Sequence, residues 1–307
     1  MTQIDRLFRP RRHRSAGLAT RSAAVAAALA LTLAGCGGGS ADPRPGPATK
    51  RPAAKAGPVW RTDPGSLAAL GDSITVGFDA CTVLSDCPEA SWATGTNPKV
   101  DSLARRLVKN PAKRSWNYAR TGALMSELPD QITAAAARRP ELVTILIGAN
   151  DACRSNVRAM TSARAFRAGF EQSMKKLRRA LPRTQVYVAA VPDLLRLWSE
   201  GRKNPLGKQV WKLGICGSML RNPDDLTQTA ERRRKKVRHR VMAYNRALAR
   251  VCRKDALCRF DGSVFDYRFT GRQLSTWDWF HPGLRGQREL AELAFRTVTR
   301  PSGRPRT

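Results

Sequence analysis

Ser66-Leu67-Ala68-Ala69-Leu70-Gly71-Asp72-Ser73 is a short apolar run that stops in turn-forming polar residues. A run too short for a helix and closed by Gly-Asp-Ser predicts a buried strand whose carboxyl end turns into a helix. The pattern recurs. Residues 114–118 lead into Arg120-Thr121-Gly122, 142–147 (LVTILI) into Gly148-Ala149-Asn150-Asp151, and 185–191 (QVYVAAV) into Pro192-Asp193. Between these runs the spacing predicts helices over 100–109, 128–138, 162–181, 226–252 and 284–297. Strands alternating with helices specify an α/β fold with a parallel sheet covered on both faces, and sites in such folds lie beyond the carboxyl ends of the strands. All the polar motifs quoted fall at those ends.

Around this core the chain has 307 residues, 42% of them apolar, which excludes a wholly disordered protein. Lys and Arg number 55 against 24 Asp and Glu, a formal charge of +31. No apolar run reaches the roughly 18–20 residues of a spanning helix, which excludes a polytopic membrane protein. Residues 1–35 carry six arginines and one aspartate, then an apolar stretch from Ala23 to Ala34 that ends in Leu33-Ala34-Gly35-Cys36. A charged start, a short apolar segment and small residues before a cysteine read as an export signal. The Leu-Ala-Gly-Cys end resembles the bacterial lipobox, which makes Cys36 a lipidation site and an anchor. Ordinary cleavage with a stray cysteine is the alternative.

Without residues 1–35 the chain keeps 49 basic and 23 acidic side chains, a net of +26. Residues 36–60 are rich in Gly, Pro and Ala and read as a tether behind Cys36. A single domain is expected over 61–300, with a disordered tail at 301–307. Six cysteines remain: Cys81, Cys87, Cys153, Cys216, Cys252 and Cys258. An even count in an exported protein suggests three disulfides. Proximity favours Cys81 with Cys87 and Cys252 with Cys258, leaving Cys153 with Cys216. A zinc site fits these spacings poorly.

Ser73, exposed at a strand end, is a candidate nucleophile, although a serine there is commonly just a helix cap. A serine hydroxyl needs a base. Of three histidines, His13 leaves with the export segment and His239 sits in the basic stretch 232–240, where a solvated helix face is expected. His281 remains, in Asp278-Trp279-Phe280-His281-Pro282-Gly283. A carboxylate three residues before the imidazole can meet Nδ1 and leave Nε2 facing the serine. Three groups at strand ends can stabilise a developing oxyanion: the backbone N–H groups of Ser73 and Gly122 and the Asn150 side-chain amide. Gly122 and Asn150 also read as ordinary turn residues.

Taken together, Gly71-Asp72-Ser73, Gly122, Gly148-Ala149-Asn150-Asp151 and Asp278-Trp279-Phe280-His281 resemble the four blocks of the SGNH hydrolases, also called GDSL esterases and lipases. The resemblance spans about 66–297, and the six cysteines are similar to those of disulfide-bearing secreted Streptomyces lipases and phospholipase-B-like members. It implies a three-layer α/β/α sandwich with a mostly parallel, flavodoxin-like sheet. It also implies Ser73 as nucleophile, His281 as base, Asp278 as orienting acid, and Ser73, Gly122 and Asn150 as the oxyanion hole, with no metal or organic cofactor. The first block reads Gly-Asp-Ser-Ile where the family's name has Leu, an apolar exchange. Asp72 is assigned only to holding the turn.

The expected substrate is an acyl ester. Residues 192–225 read as a long loop over the site or lining an acyl pocket, and Trp277, Trp279 and Phe280 as its apolar rim; packing onto the core explains them equally. The basic surface suits anionic lipid or cell-wall polymer at the membrane surface where Cys36 holds the chain, or is simply solvated. Nucleic acid is not expected as a partner, since no recognition motif accompanies the charge. A monomer is expected. A carbohydrate or envelope O-deacetylase or acyltransferase is the nearest enzymatic alternative. A non-catalytic envelope-binding lipoprotein is the alternative of another class.

Overall fold

The structure, a computed structural model, describes residues 59–301. The expected export segment 1–35, Cys36, nearly all of the tether and the tail after Pro301 lie outside the described residues.

Five strands, β1 (Leu67–Gly71), β2 (Ser115–Asn117), β3 (Leu142–Leu146), β4 (Gln185–Ala189) and β5 (Cys258–Asp261), form one parallel sheet in the order β2-β1-β3-β4-β5. Every residue of β1, β3 and β4 is buried, so these strands read as continuous apolar runs. Helices Leu128–Ala136, Ala163–Ala180 and Gln228–Cys252 pack side by side in one layer, and Leu103–Leu107 packs with Leu284–Thr299 in another. The result is the expected three-layer α/β/α architecture with flavodoxin-like strand order. Because the chain leaves β1 for one side of the sheet and returns to β3 on the other, a crevice opens where their carboxyl ends diverge.

β5 is absent from the pattern of apolar runs. It is four residues long, only its last residue is buried, and it carries Arg259 and Asp261. Its position follows from the Cys252–Cys258 disulfide, which ties it to the end of the preceding helix. The other bridges are Cys81–Cys87 and Cys153–Cys216, the pairing that proximity favoured. Trp60 is buried and donates its indole N–H to the Val298 carbonyl at 2.9 Å.

Two expectations are corrected. Residues 192–225 are largely helical: Leu194–Gly201, Pro205–Trp211 and Gly217–Leu220. Asp193 caps the first of these and Asn204, followed by Pro205, the second. Each helix is too short to display a helical period, and glycines interrupt them. The basic stretch 232–240 is also not wholly solvated. His239 is exposed, but Arg234 is buried under the Trp198 ring, 4.0 Å from its centroid, and donates to the carbonyls of Asp225 and Asn222. A long side chain can bury its stem against a ring and turn the end of its guanidinium to nearby carbonyls, which its letter in the sequence does not reveal. Among the described residues, no helix is long and apolar enough to cross a membrane.

Candidate active site

Ser73 begins the short helix Ser73–Val76 directly after β1. Gly71 makes that turn possible: its φ is +153°, and a Cβ there would lie 2.3 Å from the Leu146 carbonyl oxygen on β3. Its backbone N–H and C=O are both held by the Gln131 side-chain amide, at 2.8 and 2.9 Å. Asp72 caps the helix by accepting from the Ile74 N–H at 3.1 Å, which is the turn-holding role expected of it. Burial pushes its carboxyl up to about 7. The Ser73 N–H, at the first helical position, has no partner among the described residues.

The loop before helix Leu284–Thr299 brings His281 to Ser73. The Oγ–Nε2 distance is 3.1 Å, and Nδ1 lies 2.5 Å from Asp278 Oδ2. The other Asp278 oxygen accepts the backbone N–H groups of Phe280 and His281, at 2.9 and 3.0 Å. Burial alone would raise Asp278, but the His281 charge, its hydrogen bond and these two N–H donors outweigh it and hold the carboxyl below its ordinary value. Burial alone would lower His281. Asp278, with Asp79 and Asp72 behind it, outweighs this and raises the imidazole.

Gly122 and Asn150 face the same opening. Gly122 has φ +83° and open space where a Cβ would stand, so its exposed backbone adopts a shape that side chains disfavour. Asn150 spends one amide hydrogen on the Ala123 carbonyl at 3.1 Å, leaving the other available. Asp151 accepts from the Met125 N–H at 2.9 Å and so clamps the turn after β3 to the segment that carries Gly122. Ser73, Gly122, Asn150, Asp278 and His281 are thus gathered in one place from four separate stretches of chain.

Several supporting residues escaped the sequence reading. Gln131 acts as just described, and Gln287 ties the Ile74 carbonyl (2.9 Å) to the Trp92 N–H (3.0 Å). Trp211 donates to the Asp278 carbonyl at 2.6 Å. Gly201 and Gly207 press against Trp279, where a Cβ on Gly201 would lie 1.9 Å from the Trp279 carbonyl oxygen. The helices of 192–225 therefore buttress the loop that presents Asp278 and His281. A polar side chain bonded across more than fifty residues leaves no local trace in sequence; only the glycines and tryptophans hinted at close packing.

A cavity of about 280 Å³ opens over Ser73 and His281. Its apolar wall includes Ile74, Phe78, Leu194, Leu197, Ile215 and Phe280, with the Cys153–Cys216 disulfide beside them. The 192–225 segment therefore does line the pocket. Of the expected aromatic rim only Phe280 takes part: Trp277 is exposed and Trp279 packs on the buttressing helices. A larger cavity of about 530 Å³, lined by Leu195, Trp198 and Arg234, contains neither the serine nor the histidine.

The model of the GDSL-like Lipase/Acylhydrolase family matches residues 67–294. Among curated proteins no match is found. Similar solved structures include a mutant acetyl-xylooligosaccharide esterase of Geobacillus stearothermophilus, 17% identical, covering 79% of this chain and 97% of its own, at a TM-score of 0.49. An extracellular lipase of Streptomyces rimosus is 16% identical, over 76% of this chain and 99% of its own, at a TM-score of 0.46. A family 3 carbohydrate esterase of Clostridium thermocellum is 14% identical, over 76% and 94%, also at 0.46.

Proposed function

Since the chain belongs to the GDSL-like lipase/acylhydrolase family and is a carboxylic ester hydrolase, we propose that it cleaves short- to medium-chain acyl esters outside the cytoplasm through an acyl-enzyme on Ser73. The observation that carries this reading is the continuous contact from Ser73 Oγ through His281 to Asp278 at the mouth of an apolar cavity. Neutral His281 takes the Ser73 proton as Oγ attacks the ester carbonyl. The oxyanion meets the Ser73 and Gly122 N–H groups and the free Asn150 amide hydrogen. Collapse expels the alcohol, which receives the proton from His281. Water then repeats the sequence on the acyl-serine and releases the acid.

Cavity size supports the acyl range. At about 280 Å³ it falls just below the roughly 300–1,000 Å³ that encloses drug-sized ligands, so a long acyl chain would protrude. Each methylene buried there contributes about 0.8 kcal/mol until the space is filled. Across p-nitrophenyl esters from acetate to palmitate, kcat/KM is expected to rise to an optimum at or below octanoate and then fall. Leu197→Trp, which fills the wall, should move the optimum towards acetate. An optimum at palmitate, unchanged by Leu197→Trp, would reject the short-chain assignment. An O-deacetylase would instead peak at acetate in the unmodified protein.

Location outside the cytoplasm is supported by three disulfides, which reducing compartments disfavour, and by the export signal read in residues 1–35. Lipid on Cys36 would hold the domain at the membrane surface through the tether. There its positive charge would favour anionic lipid or cell-wall polymer as the source of esters. Nucleic acid is not proposed as a partner, and the domain is taken to act as a monomer.

A further inference from the structure

Asp79 lies six residues after Ser73, at the entrance to the Cys81–Cys87 loop, and nothing in the reaction above uses it. Its backbone is left-handed, φ +59°, with the N–H on the Ser85 carbonyl at 2.9 Å and the C=O accepting from Ser275 Oγ at 2.6 Å. Its Oδ1 accepts from the Leu84 N–H, and its Oδ2 is buried with no hydrogen-bond partner. Carboxyl oxygens of Asp79 and Asp278 and a ring nitrogen of His281 all lie within 4.8 Å of one another. Two desolvated carboxyl groups this close cannot both ionise cheaply, and one proton between them satisfies both. Oδ2 has no donor to accept from, so its way to be satisfied is to carry that proton.

We propose that Asp79 is a positioning residue of this ester hydrolase that shares a proton with Asp278, donating from Oδ2 while it holds the proton and standing as a second carboxylate beside the Asp278–His281 pair once it does not. The inference rests on the roles given above to Ser73, His281 and Asp278. Asp278 then has each oxygen engaged: Oδ1 by two backbone N–H groups, Oδ2 by His281, with the Asp79 proton as a further donor. The charged groups facing Asp79 are Asp278 and His281, both on the loop before Leu284–Thr299, while Asp72 at the end of β1 acts on the same imidazole. Burial, then the Asp278 charge, push Asp79 up to about 6. As pH rises past that value Asp79 loses its proton and becomes a second anion beside the imidazole. A second anion favours the imidazolium, which cannot act as base, so ionised Asp79 holds the acid limb of the rate at higher pH than the Asp278–His281 pair alone would.

Asn is the informative replacement, because it tolerates the left-handed backbone, keeps an acceptor for Leu84 and a donor for Asp278, and cannot ionise. In Asp79→Asn the acid limb of kcat/KM should move to lower pH by about one unit, with plateau kcat near that of the unsubstituted enzyme. Asp79→Ala removes the anion and the donor together, so its acid limb should move with that of Asp79→Asn while its kcat lies about tenfold below that of Asp79→Asn, with little difference in KM. The imidazole pKa of His281, followed by NMR in the full chain and identified from the His281→Gln spectrum, should fall in Asp79→Asn whether or not an ester is turned over. That readout separates the two claims: a shifted imidazole without ester turnover would sink the esterase reading and leave the shared proton standing. An unmoved imidazole in a folded Asp79→Asn protein overturns the proposal. So would Ala and Asn variants that match each other in kcat, or a limb that moves with added calcium or chelator, which would mean a metal between the carboxylates.

Discussion

Ser73→Ala is expected to lower kcat for a short-chain p-nitrophenyl ester by roughly 10⁴-fold or more while leaving the fold intact. Ser73 Oγ is the one atom that contacts His281 Nε2 from the serine side, and the substitution removes only that oxygen. The turn itself depends on Gly71, Asp72 and Gln131, none of which is touched. What remains is the cavity and the donors proposed for the oxyanion, and such groups leave a small residual rate in serine hydrolases. Loss of less than about tenfold, with unchanged thermal unfolding, would mean that water attacks directly and that no acyl-serine lies on the main path.

Asp278→Asn is the second large effect, about 10³–10⁴-fold in kcat with a modest change in KM. Asp278 is fully buried and touches His281 Nδ1, so it selects the tautomer that leaves Nε2 free to accept the serine proton. An amide can turn its NH₂ to Nδ1 and hold the opposite tautomer, in which Nε2 bears hydrogen and cannot act as base. Backbone donation from Phe280 and His281 to Oδ1 would survive, so the loop should keep its shape. A variant retaining more than a tenth of the activity would show that Trp211 and the backbone suffice to orient the imidazole.

The sequence made legible those parts whose physics is local. Strands buried on both faces appear as apolar runs, and the residues with special backbone needs, Gly71 and Gly122, stand at their ends. His281 emerged by elimination among three histidines, and Asp278 by its spacing. The edge strand β5 was invisible because half-exposed Arg259 breaks the apolar signal that a central strand must show. The helices of 192–225 were hidden by their brevity, and their purpose was hidden because Trp211 reaches the Asp278 carbonyl across 67 residues. Asp79 was unreadable for the same reason: its neighbours Asp278 and Ser275 lie almost two hundred positions away, and only folding reveals an acid beside an acid.

Attack by Ser73 can be read by peptide mapping after treatment with a fluorophosphonate, which traps activated serines. One phosphonyl adduct is expected, on the peptide containing Ser73, absent in Ser73→Ala and strongly slowed in His281→Gln. A folded protein that takes up no label, or one labelled elsewhere at a rate Ser73→Ala leaves unchanged, would contradict it.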